Sequence, residues 1–197
     1  MKFYNKAQTL NKLKCRNAII PKLTIIRVKD FLNKKKIVLN KLIKNFDKNC
    51  YLIVRSSSIT EDTNKKSNAG KYESIPMVKN KMFDLEDAIK KVINSYEKNK
   101  NNSIVLIQEM IDDCNFSGVI TTCNLNNQAP YYVINYYDGK DTTAATSGKE
   151  NTKNYFQFKY NNLGNKKFNK IIKLAKELES KFNNNYLDIK FGVKKGK

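Results

Sequence analysis

The sequence predicts an α+β fold, and three observations support this prediction. Three segments carry apolar residues at helical spacing, short apolar or β-rich runs lie between polar breaks, and most of these runs fall in the second half of the chain. With 197 residues, 40% of them hydrophobic, the chain can bury a core. We therefore expect a mixed α/β lobe over residues 1–102 and a β-rich lobe over residues 103–197 that carries the last helix.

The first lobe is predicted to contain two helices and one buried strand. A helix from about Asp30 to Phe46 is indicated by apolar residues at i, i+3, i+4 and i+7, namely Leu39, Leu42, Ile43 and Phe46. The apolar run Tyr51–Val54 ends abruptly at Arg55 and three serines, which predicts a strand that delivers Arg55 into a polar loop. A second helix begins with Asp84 as its N-cap. Its apolar face is formed by Leu85, Ala88, Ile89, Val92, Ile93 and Tyr96.

The second lobe is predicted to contain five strands and a third helix. The first four strands are indicated by β-rich or apolar runs at residues 104–107, 116–122, 130–137 and 155–158. A turn around Gly164 separates them from an amphipathic helix, and a final strand covers Tyr186–Val193. The apolar face of the helix is formed by Phe168, Ile171, Ile172, Ala175, Leu178 and Phe182.

The charge balance is strongly basic, with 38 Lys+Arg against 18 Asp+Glu and a formal net charge of +20. Clustered basic residues bind phosphate backbones, so a nucleic-acid-binding module is one alternative. However, only Arg16, Arg27 and Arg55 are arginines, and the lysines are spread over the whole chain. Because arginine is the commonest base-reading side chain, we favour solvated lysine surfaces from an AT-rich coding bias over a specific nucleic-acid partner.

The composition also excludes several kinds of site. The chain contains no histidine, which rules out histidine acid–base catalysis, Ser-His and Cys-His triads, and histidine-ligated zinc. Cys15, Cys50, Cys114 and Cys123 form no C-x-x-C pair, and we expect reduced, mostly buried thiols. No run approaches the roughly 18 apolar residues of a membrane span, and the first residues lack an apolar signal-peptide core, so we expect a cytoplasmic protein with no membrane partner.

The segment most suggestive of chemistry runs from Ile53 to Ser74. It combines Arg55 at a strand end with several hydroxyl side chains and with Gly70, which lets the backbone approach a ligand closely. A planar cation, hydrogen-bond donors and exposed amides suit a polyphosphate, so this is a candidate phosphate-binding loop. The alternative is a polar surface loop in which Arg55 pairs with Glu61 or Asp62, and the residues alone do not decide between the two.

The letters of this segment resemble a known family. The pattern V-R-S-S-x-x-x-E-D, followed by A-G-x-x-E-S, is similar to the nucleotide-binding domain of phosphoenolpyruvate synthase and pyruvate phosphate dikinase. The resemblance implies an ATP-grasp fold with two lobes and a nucleotide cleft between them. It also implies that Arg55, Gly70 and Ser74 bind the nucleotide.

Further segments resemble the same family in the same order. Asn5–Leu10 is similar to its G-K-x-x-x-L element, which implies Lys6 as a phosphate contact; alone, Lys6 would be one of many lysines at a helix start. Val105–Met110 resembles a V-x-V-Q-x-M strand beside the adenine, which implies Gln108, Glu109 and Met110 as base contacts. Ser117–Thr121 is similar to an S-G-V strand. Ordinary core strands would explain the last two segments equally well.

The end of the chain departs from the family pattern. Leu187–Phe191 resembles a D-I-E strand whose acidic pair helps to hold Mg²⁺, which implies Asp188 as a metal ligand. Lys190 stands where the family has Glu, and an ammonium group cannot ligate Mg²⁺. The sequence also stops at Lys197, before the family's next strand, so we expect a C-terminally truncated domain.

The resemblance implies the ATP-binding domain of a phosphoenolpyruvate synthase-like phosphotransferase that uses ATP and Mg²⁺. Lys6 and Arg55 are the candidate catalytic cations. The stretches 130–139 and 142–148 look more like the L-glutamine kinase-like members. Without histidine, turnover requires a phosphohistidine or acceptor-binding domain or chain downstream, or direct transfer to a small acceptor. A degenerate, non-catalytic nucleotide-binding or interaction domain is the alternative, and Lys190 favours it.

Overall fold

A computed structural model describes residues 5–57, 73–96, 103–111, 114–142, 151–161 and 164–194. Four α-helices and two four-stranded antiparallel sheets lie within these ranges, which confirms the α+β class. The chain divides into two compact units. The N-terminal unit comprises Phe3–Leu13 and Ile20–Met110, and the C-terminal unit comprises Met1–Lys2, Lys14–Ile19 and Ile111–Lys197.

The N-terminal unit contains three helices and the first sheet, whose strand order is β1-β4-β2-β3. Its elements are α1 (Lys6–Lys12), β1 (Leu23–Arg27), α2 (Val28–Asn45), β2 (Tyr51–Ser57), β3 (Ser74–Lys79), α3 (Met82–Asn94) and β4 (Ile104–Glu109). Strand β4 pairs with both β1 and β2 and therefore belongs to the N-terminal unit, whereas the sequence analysis assigns residues 103–197 to the second lobe.

The core of the N-terminal unit lies on one face of the sheet. Alternate residues of β2 and β4, among them Val54, Val105 and Ile107, are fully buried in one cluster with apolar residues of α2 and α3. Leu39, Leu42, Leu85 and Ile89 represent the helices in this cluster. Since successive strand residues point to opposite faces, the intervening residues project from the other face. Helices α2 and α3 therefore do not cover that second face, on which Leu106 and Ser57 are nevertheless 0% and 1% exposed.

The helix ends differ in detail from the sequence prediction. Helix α3 begins at Met82 with Lys81 in the N-cap position, so the prediction of Asp84 as N-cap is wrong. Asp84 instead lies in the first turn, where a carboxylate interacts favourably with the helix dipole. Helix α2 covers the predicted segment, and Lys34 has non-helical backbone angles (φ −134°, ψ 40°) that kink it.

The C-terminal unit contains the second sheet, with strand order β7-β6-β5-β8, and one long helix. Its elements are β5 (Phe116–Thr121), β6 (Tyr131–Asp138), β7 (Lys153–Phe158), a 3-10 helix (Lys166–Phe168), α4 (Asn169–Phe182) and β8 (Asp188–Val193). Phe168 is 1% exposed, stacks on Tyr155 at 4.4 Å between ring centroids and meets Phe116 edge to face at 6.1 Å. This aromatic cluster packs the start of α4 against the sheet.

The short segment Lys14–Ile19 is anchored on α4 by one carboxylate. Glu177 accepts hydrogen bonds from the backbone N–H of Arg16 (2.8 Å) and of Asn17 (3.0 Å), and it forms an ion pair with Lys181 (2.9 Å). The backbone bond from Arg16, followed by Lys181, lowers the pKa of Glu177 to about 2. The ionised carboxylate is therefore the form that holds this segment.

All four cysteines are free thiols, as predicted. Cys114 and Cys123 are buried, whereas Cys15 and Cys50 are half-buried. In the part of the chain that the structure describes, no helix is long and apolar enough to cross a membrane.

Candidate functional site

Three of the sequence-predicted residues lie on one face of the N-terminal sheet. Arg55 on β2 is directly opposite Ser74 on β3 and Leu106 on β4. Gln108 follows Leu106 by two residues and therefore projects from the same side. This is the face opposite Val54, Val105 and Ile107, which pack in the core with the helices. The same face also carries the fully buried Leu106, and Ile53 opposite Gln108. We call it the polar face after Arg55, Ser74 and Gln108.

Lys6 lies next to the polar face because α1 is hydrogen-bonded to β2. The backbone N–H of Ala7 donates to Oγ of Ser57 at 3.0 Å, and Ser57 follows Arg55 by two residues on the same strand. The side chain of Asn5 caps α1 by accepting a hydrogen bond from the N–H of Gln8 at 2.9 Å. The exposed Lys6 is the residue between these two contacts.

The arrangement can bind an anionic ligand. Lys6 and Arg55 supply an ammonium and a planar guanidinium, and Ser74 adds an exposed hydroxyl on the strand next to Arg55. Arginine binds phosphate oxygens through two parallel hydrogen bonds, while lysine acts as a mobile point charge. Together these groups suit a phosphate ester.

The end of β4 constrains how a base could be recognised. The N–H of Glu109 donates to the carbonyl of Lys22 and the N–H of Met110 donates to the carbonyl of Tyr51, both at 2.9 Å. These two amide donors are therefore used within the sheet. Gln108 is 8% exposed, and no hydrogen bond of its side-chain amide is found among the described residues. The side chain of Gln108 thus remains the better candidate for a polar contact.

The Cys50 thiol, close to this strand end, is not activated. Burial raises its pKa, and the negative charges of Glu109 and Asp47 add to the effect. Its Sγ donates to the carbonyl of Asp47 at 3.0 Å. A raised pKa lowers the fraction of thiolate, the reactive form of cysteine, at neutral pH.

Several residues of the sequence analysis lie outside the described ranges. Gly70 is one of them, and so are Glu61 and Asp62, the alternative partners of Arg55. The segment 143–150, which covers most of the second stretch compared with L-glutamine kinase-like proteins, is also outside.

The predicted metal ligand lies in the C-terminal unit. Asp188 and Lys190 are both exposed and alternate along β8, opposite Thr121 and Val119 of β5. Ile189, which lies between them, and Phe191, which follows Lys190, pack against the core of the C-terminal unit. Within the described ranges no group of three or more His, Cys, Asp or Glu residues could hold a metal. Asp188 alone offers one carboxylate, which is compatible with Mg²⁺ only if phosphates and water complete the coordination.

A cavity of about 350 Å³ in the C-terminal unit is separate from these residues. Its wall includes Tyr132, Lys159 and Glu179, and the Tyr132 hydroxyl donates to Oε2 of Glu179 at 2.7 Å. Lys159 forms an ion pair with the other oxygen of the same carboxylate. The two charges therefore compensate each other within the wall.

The partner of one residue of the polar face could not be predicted from the sequence. Ser57 belongs to the V-R-S-S pattern, whose hydroxyls suit a phosphate, but in the fold its Oγ accepts the N–H of Ala7 in α1. The sequence shows a serine that can form a hydrogen bond, but it does not show that α1 lies within reach of its hydroxyl.

The chain matches a known protein family. The family model described as "Pyruvate phosphate dikinase, AMP/ATP-binding domain" matches residues 28–139, which is more than half of the 197-residue chain. The matched range includes Arg55, Ser74 and Gln108 and excludes Lys6, Asp188 and Lys190. No curated protein matches the chain.

Proposed function

The chain belongs to the pyruvate phosphate dikinase AMP/ATP-binding domain family, and on that premise we propose that it binds ATP on the polar face of its N-terminal unit. ATP binding in a phosphoenolpyruvate synthase- and pyruvate phosphate dikinase-like kinase family is what the matched domain implies. The observation that carries our assignment of the site is the register of β2, β3 and β4, which puts Arg55, Ser74 and Gln108 on one face within the matched range.

In this proposal Lys6 and Arg55 hold the phosphates, and Gly70 and Ser74 line the phosphate-binding segment. Gln108 contacts the base, with the carbonyl groups of Glu109 and Met110 as further acceptors. Two cations beside a phosphate stabilise negative charge that develops during phosphoryl transfer, and this is the main protein contribution in such reactions. We propose an ATP-grasp fold for the complete domain.

We further propose that the domain serves a phosphotransferase that uses Mg²⁺, with Asp188 as one metal ligand. The single carboxylate supports this role only together with the nucleotide's own oxygens. Because the chain has no histidine, a phosphohistidine acceptor would come from another domain or chain; a small acceptor, as in L-glutamine kinase-like proteins, is the other route.

Isothermal titration with ATP, with and without Mg²⁺, tests the proposed function. We expect saturable binding of one ATP per chain, and a parallel titration with duplex DNA should show only weak contacts that fall steeply with salt. Absence of ATP binding, or a salt-tolerant, sequence-selective nanomolar DNA complex, contradicts the proposal. A phosphotransfer assay then distinguishes an active domain from one that only binds nucleotide.

Replacement of Lys190 by Glu is expected to strengthen the Mg²⁺ dependence of ATP binding. The change removes a positive charge two residues from Asp188 on the same side of β8 and supplies a second carboxylate. The measurement is the ratio of ATP affinities with and without Mg²⁺, which should rise in Lys190→Glu. Lys173→Glu, an equal charge change at an exposed position of α4, is the control and should leave the ratio unchanged. Equal ratios in both variants would remove Asp188 from the metal site.

A further inference from the structure

On the polar face, Ser57 takes part in a short chain of hydrogen bonds that connects four elements. The backbone N–H of Ser57 donates to the hydroxyl of Tyr96 at 3.0 Å, and this hydroxyl donates to the carbonyl of Ile104 at 2.5 Å. The Oγ of Ser57 accepts the N–H of Ala7 at 3.0 Å. We call this chain the Ser57–Tyr96 relay. It links the end of α3, the start of β4, the end of β2 and the start of α1.

The relay is buried and its described groups are paired. Ser57 is 1% exposed, Tyr96 is 2% exposed and Ala7 is fully buried. A hydrogen bond in such surroundings is costly to lose, because the abandoned donor or acceptor cannot turn to water. The relay therefore holds its members in one arrangement.

The position of α1 depends on this contact more than on the helix itself. With seven residues, α1 is too short to be stable alone, and its first N–H groups have no partner within the helix. Asn5 satisfies the N–H of Gln8, and Ser57 satisfies the N–H of Ala7. The second of these bonds connects α1 to the end of β2 in the sheet.

We propose that Ser57 and Tyr96 are positioning residues that set the place of Lys6 relative to Arg55. The inference rests on the proposed function of the polar face. Lys6 immediately precedes the residue that Ser57 holds, and Arg55 precedes Ser57 by two residues on β2. Tyr96 in turn fixes the backbone of Ser57 at the end of that strand. One buried chain of bonds thus sets the spacing of the two cations that the phosphates would contact.

A double-mutant cycle on ATP affinity tests this role. Ser57→Ala is expected to weaken ATP binding about threefold to tenfold, the effect of one neutral hydrogen bond. In a Lys6→Ala background the same change should weaken binding by less than about twofold, because the residue that Ser57 positions is gone. Merely additive effects, or unchanged affinity in Ser57→Ala, would overturn the inference.

Two further variants keep the test decisive. Tyr96→Phe removes only the hydroxyl and should weaken ATP binding in the same direction, with the same dependence on Lys6. Tyr132→Phe is the matched control, since Tyr132 is also 2% exposed with a hydrogen-bonded hydroxyl but lies in the C-terminal unit. Should Ser57→Ala not fold, the Tyr96→Phe cycle decides alone. If the unmodified chain does not bind ATP, the proposed function fails; if it binds and the cycle is additive, only the inference fails.

Discussion

Replacing Arg55 by Ala is expected to weaken ATP binding by about 1.5–3 kcal/mol, which is roughly a 10- to 150-fold rise in Kd. The reason is the loss of a charge-assisted hydrogen bond, which is stronger than a neutral one. Arg55 is half-buried between Ser74 and Leu106 on neighbouring strands. Solvent therefore screens its interaction with a phosphate less than it would for a fully exposed arginine. Isothermal titration with ATP gives the value directly.

The conservative variant and a second arginine serve as controls. Arg55→Lys should recover only part of the affinity, because lysine keeps the charge but not the planar fork. Arg27→Ala removes an arginine from the same sheet that is 75% exposed and paired with Asp30, and it should leave the Kd unchanged. A normal melting curve together with wild-type ATP affinity in Arg55→Ala would take Arg55 out of the site.

Helices α2, α3 and α4 and most strands are predictable because burial imposes a period on the sequence, whereas α1, β1 and β3 are not predicted. Helix α4 is indicated by its apolar face, and β2 by the run that precedes Arg55. Strand β2 continues to Ser57, so the prediction that Arg55 lies in a loop is wrong. Strand β3 was missed because it contains Pro76 and a bulge opposite β2, with Met77 at a positive φ of 58°. These features interrupt the alternation on which strand prediction depends. An edge strand tolerates them, since one side makes no ladder bonds.

The candidate site was predictable residue by residue but not as a surface. The motif letters named Arg55, Ser74 and Gln108, yet only the strand register shows that they share a face. The role of Tyr96 could not be predicted, because the sequence places it on the apolar face of the helix as a simple core residue, whereas it lies just after the C-cap Ser95 of α3. The fold brings Ser57 and Ile104 from two strands to the Tyr96 hydroxyl, which hydrogen-bonds to both.

One motif letter has a packing reason that the sequence alone did not show. Gly118 in the S-G-V strand lies so close to β6 that a Cβ atom would be 2.2 Å from the carbonyl oxygen of Asn135 and 2.9 Å from Cα of Tyr136. Both neighbours are backbone atoms and cannot turn away. The glycine is therefore required by the approach of two strands, whatever the ligand.

Glu179→Gln is expected to lower the free energy of unfolding by about 3 kcal/mol, which corresponds to roughly 6–12 °C in Tm for a chain of this size. Glu179 and Lys159 are an ion pair with side chains only 11% and 14% exposed, and the hydroxyl of the buried Tyr132 donates to the same carboxylate. Burial, followed by Glu179, raises the pKa of Tyr132, so this hydroxyl stays protonated and acts as a donor. A neutral amide would leave the charge of Lys159, whose side chain is only 14% exposed, without its anionic partner.

Glu86→Gln is the matched control for this loss. Glu86 also forms ion pairs with two lysines, and its Oε1 lies 2.7 Å from Nζ of both Lys35 and Lys90. These lysine side chains are about half exposed (43% and 55%). Exposed pairs are screened by solvent, and this change should lower the free energy of unfolding clearly less than Glu179→Gln. Replacing both members of the buried pair, as in Lys159→Met with Glu179→Leu, should recover most of the stability, because no charge then stays buried alone. Thermal and urea unfolding measure all four proteins; equal losses for Glu179→Gln and Glu86→Gln would show that the pair is effectively solvated.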